Sequence, residues 1–494
     1  MENRFNLVDE AWIPVADTGR VSLRQLFSHP EYRALGGNPI QKLALMKLLL
    51  AIAQAAATPN DENEWRALGP RGMADACLRY LDQWHDRFWL YGEQPFLQMP
   101  AIAAAREQNF GALLPEVATG NTTVLHHSQV ERALSDPDRA LLLLTLMAFA
   151  LAGKKTDNSV ILTPGYAGKT NARGKPSSGR PGTAIEYMGL LHSHLLAGTL
   201  HETLWLDLFS HEQISASKMY PEGLGVPPWE QMPEGEDCPV AQKLKQSLMG
   251  RLIPLSRFCL LTETGMHYSE GLQHPGYKDG VADPTVAVDF SGKQPKALWT
   301  DPEKRPWREL TSLLGFLEQD RDRGYQCWQL AACLERARDV CERVGIWSGG
   351  LRVSSNAGEQ YASGRDDFVE SVLWLYTDML GETWFVVLKL EMSALEQVAR
   401  YLYGRVSGYY KDQKMDAAGL AELSTSHFWQ LCEQDFQALV DGCDQAETRQ
   451  QLRRRFASYL YQAFDRYCPR DTARQLDAWA HNRPNLYTYL NQES

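Results

Sequence analysis

The stretch from Gly153 to Gly182, GKKTDNSVILTPGYAGKTNARGKPSSGRPG, gathers Lys154, Lys155, Lys169, Arg173, Lys175 and Arg180 against one acid, Asp157. Glycines at 165, 168, 174, 179 and 182 allow positive φ and close backbone approach. Exposed amides beside lysine and arginine suit contact with phosphate. The same composition also suits a solvated surface connector.

Nothing else in the chain has the spacing of a catalytic centre. There is no Walker A loop, no G-x-S-x-G turn, no H-E-x-x-H helix and no Gly-rich dinucleotide fingerprint after a strand. Neither an enzyme nor a cofactor is called for. His126 and His127 would face opposite sides of a strand, with no carboxylate or cysteine at ligand spacing. His192, His194 and His201 fall in a segment read as helical, a Leu-rich run from Ala184. Only His194 and His201 share a face there, two turns apart, so structural histidines are expected rather than a metal site. The nine cysteines include no C-x-x-C pair, which disfavours zinc, and their odd number disfavours a disulfide framework. A reducing cytoplasm fits.

A chain of 494 residues has length for two or more domains. Its net charge of −11 excludes a histone-like general nucleic-acid binder, so contact with DNA requires local basic patches or a basic partner. MENRFNLVDEAW lacks a signal-peptide apolar core, and the run Ala140–Ala152 is too short to span a bilayer. A soluble protein with no membrane partner is the expectation.

The elements that must carry the basic stretch follow from periodicity. FNLVDEAWIPV and RVSLRQLF alternate as a short antiparallel pair. QKLALMKLLLAIAQAAA (Gln41–Ala57) and the run Ala140–Ala152 read as buried helices, and the aromatic segment Trp84–Pro100 as core packing. Tyr220–Pro239, acidic and rich in Pro and Gly, reads as an exposed connection. RLIPLSRFCLLT is strand-like. DPTVAVDFSGKQPKALW (Asp283–Trp299) reads as a hairpin turning at Ser291-Gly292, with Lys293 just past the tip. LRVS and FVESVLWLY flank a loop of Gly, Ser and Asn centred on Glu359, Gln360 and Tyr361. From Gly381 onward the pattern is helical. Leu388, Met392, Leu395, Ala399 and Leu402 form one stripe, and helices follow over about 419–440, 445–467 and 471–491. Arg453, Arg454 and Arg455 are expected on the outside. The fold class is therefore α+β, with a mixed α/β domain over 1–380 and a four-helix bundle over 381–494.

Several of these segments carry a family resemblance. FNLVDEAWIPV, FWLYGEQPFLQ (Phe88–Gln98), TPGYAG (Thr163–Gly168), DPTVAV (Asp283–Val288), WREL (Trp307–Leu310) and GEQYASGRDDFVES (Gly358–Ser371) resemble the large subunit, CasA, of the type I-E CRISPR surveillance complex Cascade. They occur in family order along the whole chain. The resemblance implies the same two-domain fold. It also implies that the chain recognises the protospacer-adjacent motif (PAM) in duplex DNA, starts strand separation and recruits a helicase–nuclease. The partners implied are the crRNA-bearing backbone, guide-end and small subunits, the target duplex and that nuclease.

Residue by residue, the family's glycine loop for the minor groove is similar to Gly165, Tyr166, Ala167 and Gly168, followed by Lys169. Its hairpin lysine resembles Lys293, with Lys296 as the fallback, and its wedge glutamine resembles Gln360, next to Tyr361. The loop meeting the guide end corresponds to Thr119–Gln129, including Asn121, Thr122 and Thr123. Glu359 stands where the family often has Asn, and Tyr361 replaces a small residue. The zinc-binding cysteine cluster of some relatives is missing. The alternatives are a metal-dependent nuclease, which would need clustered carboxylates or histidines, and a purely structural scaffold subunit.

Overall fold

The computed structural model describes residues 2–115, 132–149, 160, 162, 189–318, 324–352 and 368–491. The chain divides into two compact units, Met1–Trp307 with Asp322–Val372, and Arg308–Arg321 with Leu373–Ser494.

The first unit is mixed, as the patterns predict. Its core helix, Pro39–Ala57, starts at an Asn38–Gln41 capping box with Pro39 in the first turn. The helix is apolar on every side because every side is covered. It packs on helices 62–83, 136–148 and 200–207 and on strand 343–351. By length and composition it could cross a bilayer, but 72% of its apolar window is buried inside the protein. Asp136–Ala148 begins at Ser135 and buries every residue from Ala140 to Ala148. Trp65 and Trp205 stack at 4.1 Å, and each indole N–H donates to the other residue's carbonyl.

Two three-stranded sheets organise the unit. One orders Phe368–Tyr376, Arg343–Leu351 and His192–Leu196; the other orders Glu107–Asn109, Gly265–Glu270 and Arg257–Leu261. The first corrects the helical reading of the histidine segment. His192 and His194 lie on a strand, in register with Gly349 and Trp347. A Leu-rich run suits either structure, and pairing with a strand distant in the chain decides it. The N-terminal pair is Ile13–Val15 with Gly19–Val21, but the following RQLF is helical. There a Ser22–Gln25 capping box outweighs the alternation.

The aromatic segment packs in the core as expected: Phe88 stacks on Phe96 at 4.8 Å. Trp229 lies beside both rings and is 4% exposed, so the connection Tyr220–Pro239 is anchored rather than simply exposed.

The second unit is the expected helical bundle. Its helices are the short Leu310–Leu313 and, from 373 onward, Glu382–Asp412, Ala418–Gly442, Ala446–Tyr467 and Ala473–Asn482, with a short turn of helix at Tyr487–Leu490. Pro484 separates the last two, where one helix over 471–491 was predicted. Leu388, Met392, Leu395, Ala399 and Leu402 are all buried. The arginine run is not a uniform outer face. Arg453 is buried and donates from Nε (2.9 Å) and Nη2 to Glu391, itself 3% exposed. Arg455 pairs with Asp435 at 2.7 Å, leaving Arg454 exposed. A carboxylate facing the bundle interior requires a cation there, and one helical turn of the run supplies it.

Candidate nucleic-acid interface

Described residues that flank or carry three expected contact segments meet at one end of a sheet. Strand His192–Leu196 begins shortly after the basic stretch, and strand Arg343–Leu351 ends shortly before the Gln360 loop. These strands are antiparallel with His192 opposite Gly349, so both segments attach at the same end. The hairpin joins them there. Leu190 bridges Trp299 and His192 bridges Val286. Leu191 donates to the Leu298 carbonyl at 2.9 Å, and Thr300 N donates to the Gly189 carbonyl at 2.6 Å. On the other side, a Cβ at Gly350 would collide with the Thr300 hydroxyl and lie 2.9 Å from the Leu190 carbonyl. Only glycine fits that crossing. Arg352 then pairs with Asp301 at 3.3 Å.

The hairpin itself follows its alternation. Val288 pairs with Ala297, both buried, and Asp289 pairs with Lys296. The connection is longer than Ser291-Gly292 alone, spanning 290–295. Asp289 closes it by accepting from Ser291 N at 2.9 Å and Ser291 Oγ at 2.6 Å, and these hydrogen bonds hold its carboxyl below the usual range. Lys293 is exposed in the connection, beyond the last strand pair. Lys296 is exposed too, but stands opposite Asp289, so Lys293 is the less encumbered cation. Sequence reasoning passed over two aromatics flanking them, Phe290 at 45% and Trp299 at 44% exposed. The sequence carried no signal of their exposure, since Phe290 continues the Val286–Val288 alternation and reads as core.

Under this edge lies a buried polar network. Lys47, from the otherwise apolar core helix, pairs with Asp283 and donates to the Arg251 carbonyl at 3.0 Å. Asp283 Oδ1 accepts from Thr285 N at 3.0 Å and from its hydroxyl at 2.7 Å, and that hydroxyl lies 2.8 Å from His192 Nδ1. Burial favours the neutral form of each group. It lowers Lys47, whereas Asp283 ends below the ordinary carboxylate range because the Lys47 charge, with the hydrogen bonds from Lys47 and Thr285, outweighs burial. Burial pushes His192 and His194 down to about 3, so both are neutral imidazoles. His194 stacks on Trp347 at 4.8 Å, and His201 Nε2 bonds the Leu26 carbonyl at 2.8 Å. All three histidines are buried in the first unit, and His192 Nε2 and His194 Nδ1 have no hydrogen-bond partner among the described residues.

Among the described residues, no three His, Cys, Asp or Glu gather as a metal site. All nine cysteines are free thiols. Gly165, Tyr166, Ala167, Gly168, Lys169, the basic residues Lys154, Lys155, Arg173, Lys175 and Arg180, the guide-loop residues Asn121, Thr122 and Thr123, His126, His127, Gln360 and Tyr361 lie outside the described residues. Two positions beside them are placed. The Val160 carbonyl accepts from Ser269 Oγ at 2.8 Å, and the Leu162 carbonyl from Glu236 N at 2.9 Å.

This two-unit α+β fold is that of a class of CRISPR-associated proteins. It is similar to the solved Cse1 of Thermobifida fusca, with TM-score 0.74 and 19% identity over 97% of this chain and 96% of that one. A chain of a structure described as a CRISPR RNA-guided surveillance complex aligns with TM-score 0.63 and 15% identity, over 98% of this chain and 99% of that one. In sequence, CasA/Cse1 of Thermus thermophilus is 34% identical over 164 residues, which span 30% of this chain and 32% of that relative. Residues 6–467 match the family described as CRISPR-associated protein Cse1, and the chain belongs to that family. The resemblance drawn from the sequence motifs is borne out.

Proposed function

We propose that the chain is the subunit of a CRISPR RNA-guided surveillance complex that recognises the PAM in double-stranded DNA, starts strand separation beside it and recruits the effector helicase–nuclease. The observation that carries this reading is the shared edge. The described residues that follow the basic stretch (Gly189, Leu190), precede the Gln360 segment (Gly350) and end the Lys293 hairpin (Thr300) interlock. Family membership and the likeness to a surveillance-complex chain support it.

Each role follows from its chemistry. Backbone amides and one lysine in a minor groove meet a degenerate pattern that mainly separates A·T from G·C, so several related PAMs are accepted. A planar amide at Gln360 can enter an opened base step, where unstacking costs roughly a few kcal/mol. The guide–target heteroduplex then forms at near-balanced energy, so the first opening is the step that needs protein help. Asn121, Thr122 and Thr123 meet the guide end, among the crRNA-bearing backbone, guide-end and small subunits. The chain itself performs no chemistry, needs no cofactor and works in the cytoplasm.

The test is binding of the reconstituted complex to duplexes with a randomised flank beside the target. A small set of related flanks should be enriched only when this subunit is present. Equal enrichment without it would sink the reading. A second expectation concerns Lys154, Lys155, Lys169, Arg173, Lys175 and Arg180, whose contacts are to phosphate. Neutralising three should weaken binding to all PAM-bearing duplexes alike and reduce the log–log salt slope by roughly three, at about one unit per contact. An unchanged slope would make the stretch a solvated connector.

A further inference from the structure

In the bundle, most cations near the helix interfaces are taken. Arg308 pairs with Glu396, Lys389 with Glu318, Arg453 with Glu391 and Arg455 with Asp435. One group differs. Arg470 and Arg483 both lie over the Trp479 ring, at 4.8 and 4.5 Å. Arg405 lies over Tyr401 at 4.7 Å, and the Tyr401 hydroxyl accepts from Asn485 N at 3.1 Å, two residues past Arg483. Among the described residues, none of these three guanidinium groups has a carboxylate in ion-pair range. Of the acids near them in the chain, Asp465 accepts from the Trp479 indole at 2.9 Å, Asp412 accepts from Asn482 at 2.7 Å, Asp477 lies 3.7 Å from His481, and Asp471, beside Arg470, is exposed. Two residues beyond Asn485, Tyr487 is 73% exposed, the most exposed large hydrophobic side chain described.

We infer that Arg405, Arg470, Arg483 and Tyr487 form a binding surface for single-stranded nucleic acid. A guanidinium seated on an aromatic ring loses little freedom on binding, and its N–H edge stays available for bidentate contact with phosphate. In a chain of net charge −11, arginines without carboxylate partners are a localised attraction for a polyanion. The exposed ring of Tyr487 selects among polyanions. It can stack on a base whose face is open, which a single strand offers and a duplex conceals. An acidic protein face would satisfy the arginines but leave the ring without a function.

The experiment measures binding of the full chain to a labelled oligothymidine strand, and to a blunt duplex of equal length, across a salt series. Arg470→Gln with Arg483→Gln should lower the single-strand salt slope by about 1.4, at roughly 0.7 per phosphate contact. Tyr487→Ala should weaken single-strand binding about tenfold while leaving the slope and the duplex affinity unchanged. Tyr487 is exposed, so this variant tests the surface even if removing both arginines from Trp479 disturbs the bundle. Arg470→Lys with Arg483→Lys keeps the charge, and should retain most of the slope while losing part of the affinity. Unchanged single-strand affinity in both the Gln pair and Tyr487→Ala would overturn the inference. So would unchanged strand binding accompanied by lost association with an acidic partner subunit. Neither outcome bears on PAM recognition by the first unit.

Discussion

Lys47→Met should destabilise the first unit by about 3–5 kcal/mol, the usual cost of removing one partner from a buried pair. Lys47 is 1% and Asp283 is 6% exposed, so the remaining carboxylate cannot find water. Asp283→Leu with Lys47→Met should recover much of the loss, because a buried pair replaced by apolar groups is often nearly neutral. The pH dependence separates this account from lost packing. In the native protein Asp283 is held below its ordinary value, so its contribution is present above the unfolded carboxylate pKa and is lost as pH falls through the folded one. In Lys47→Met, burial without the cation raises the same carboxyl. The deficit should therefore be largest near neutrality and shrink as the pH falls toward that raised value and below it. Urea unfolding of both proteins from neutral to mildly acidic pH measures the difference. A deficit independent of pH would make Lys47 a packing group only. Because Asp283 and Thr285 precede the hairpin and touch His192, the variant should also loosen the Lys293 stem.

How far the sequence is legible depends on the distance between cause and effect. Pro39–Ala57, the stripe from Leu388 to Leu402 and the Val288–Ala297 hairpin depend on neighbours a few residues away, so periodicity and caps reveal them. Lys47 was visible as the one charge inside LALMKLLLAIA, although its partner was not. His192 took the wrong secondary structure because its strand partner lies about 155 residues away, as between Ser193 and Ser348. Arg453 was placed outside because Glu391, sixty-two residues earlier, cannot be read as buried from composition. In the candidate site, the exposed place of Lys293 in a hairpin connection was legible from the turn. That its stem locks to Leu190 and Gly350 was not, since those contacts join segments far apart in the chain. Phe290 and Trp299 were missed for a simpler reason: an aromatic beside a hairpin reads as core until its exposure is seen.

Gln360→Ala and Lys293→Ala should fail at different steps of the proposed reaction. Lys293 stands in the hairpin connection with no carboxylate pair among the described residues, so removing it takes away a contact to intact duplex. PAM-bearing DNA should then bind about tenfold more weakly, with the salt slope reduced by roughly one. In the sequence Gln360 stands with Tyr361 between Gly358 and Gly364, and a polar side chain in so glycine-punctuated a stretch is expected to contribute little to the core. Its loss should leave the fold and PAM engagement intact while slowing the first base-pair opening. If the side chain supplies about 1–3 kcal/mol of the unstacking cost, opening slows roughly ten- to hundredfold. A duplex already mismatched over the first few pairs beside the PAM no longer needs that step. It should restore heteroduplex formation to Gln360→Ala and do little for Lys293→Ala, whose defect precedes opening. The comparison is sharp because Gly350, which precedes the Gln360 segment, meets the hairpin that bears Lys293, while the two side chains differ in what they are expected to touch. Stopped-flow fluorescence of a base analogue beside the PAM follows the opening directly. Equal rescue of both variants, or rescue of neither, would falsify the division between reading and prying.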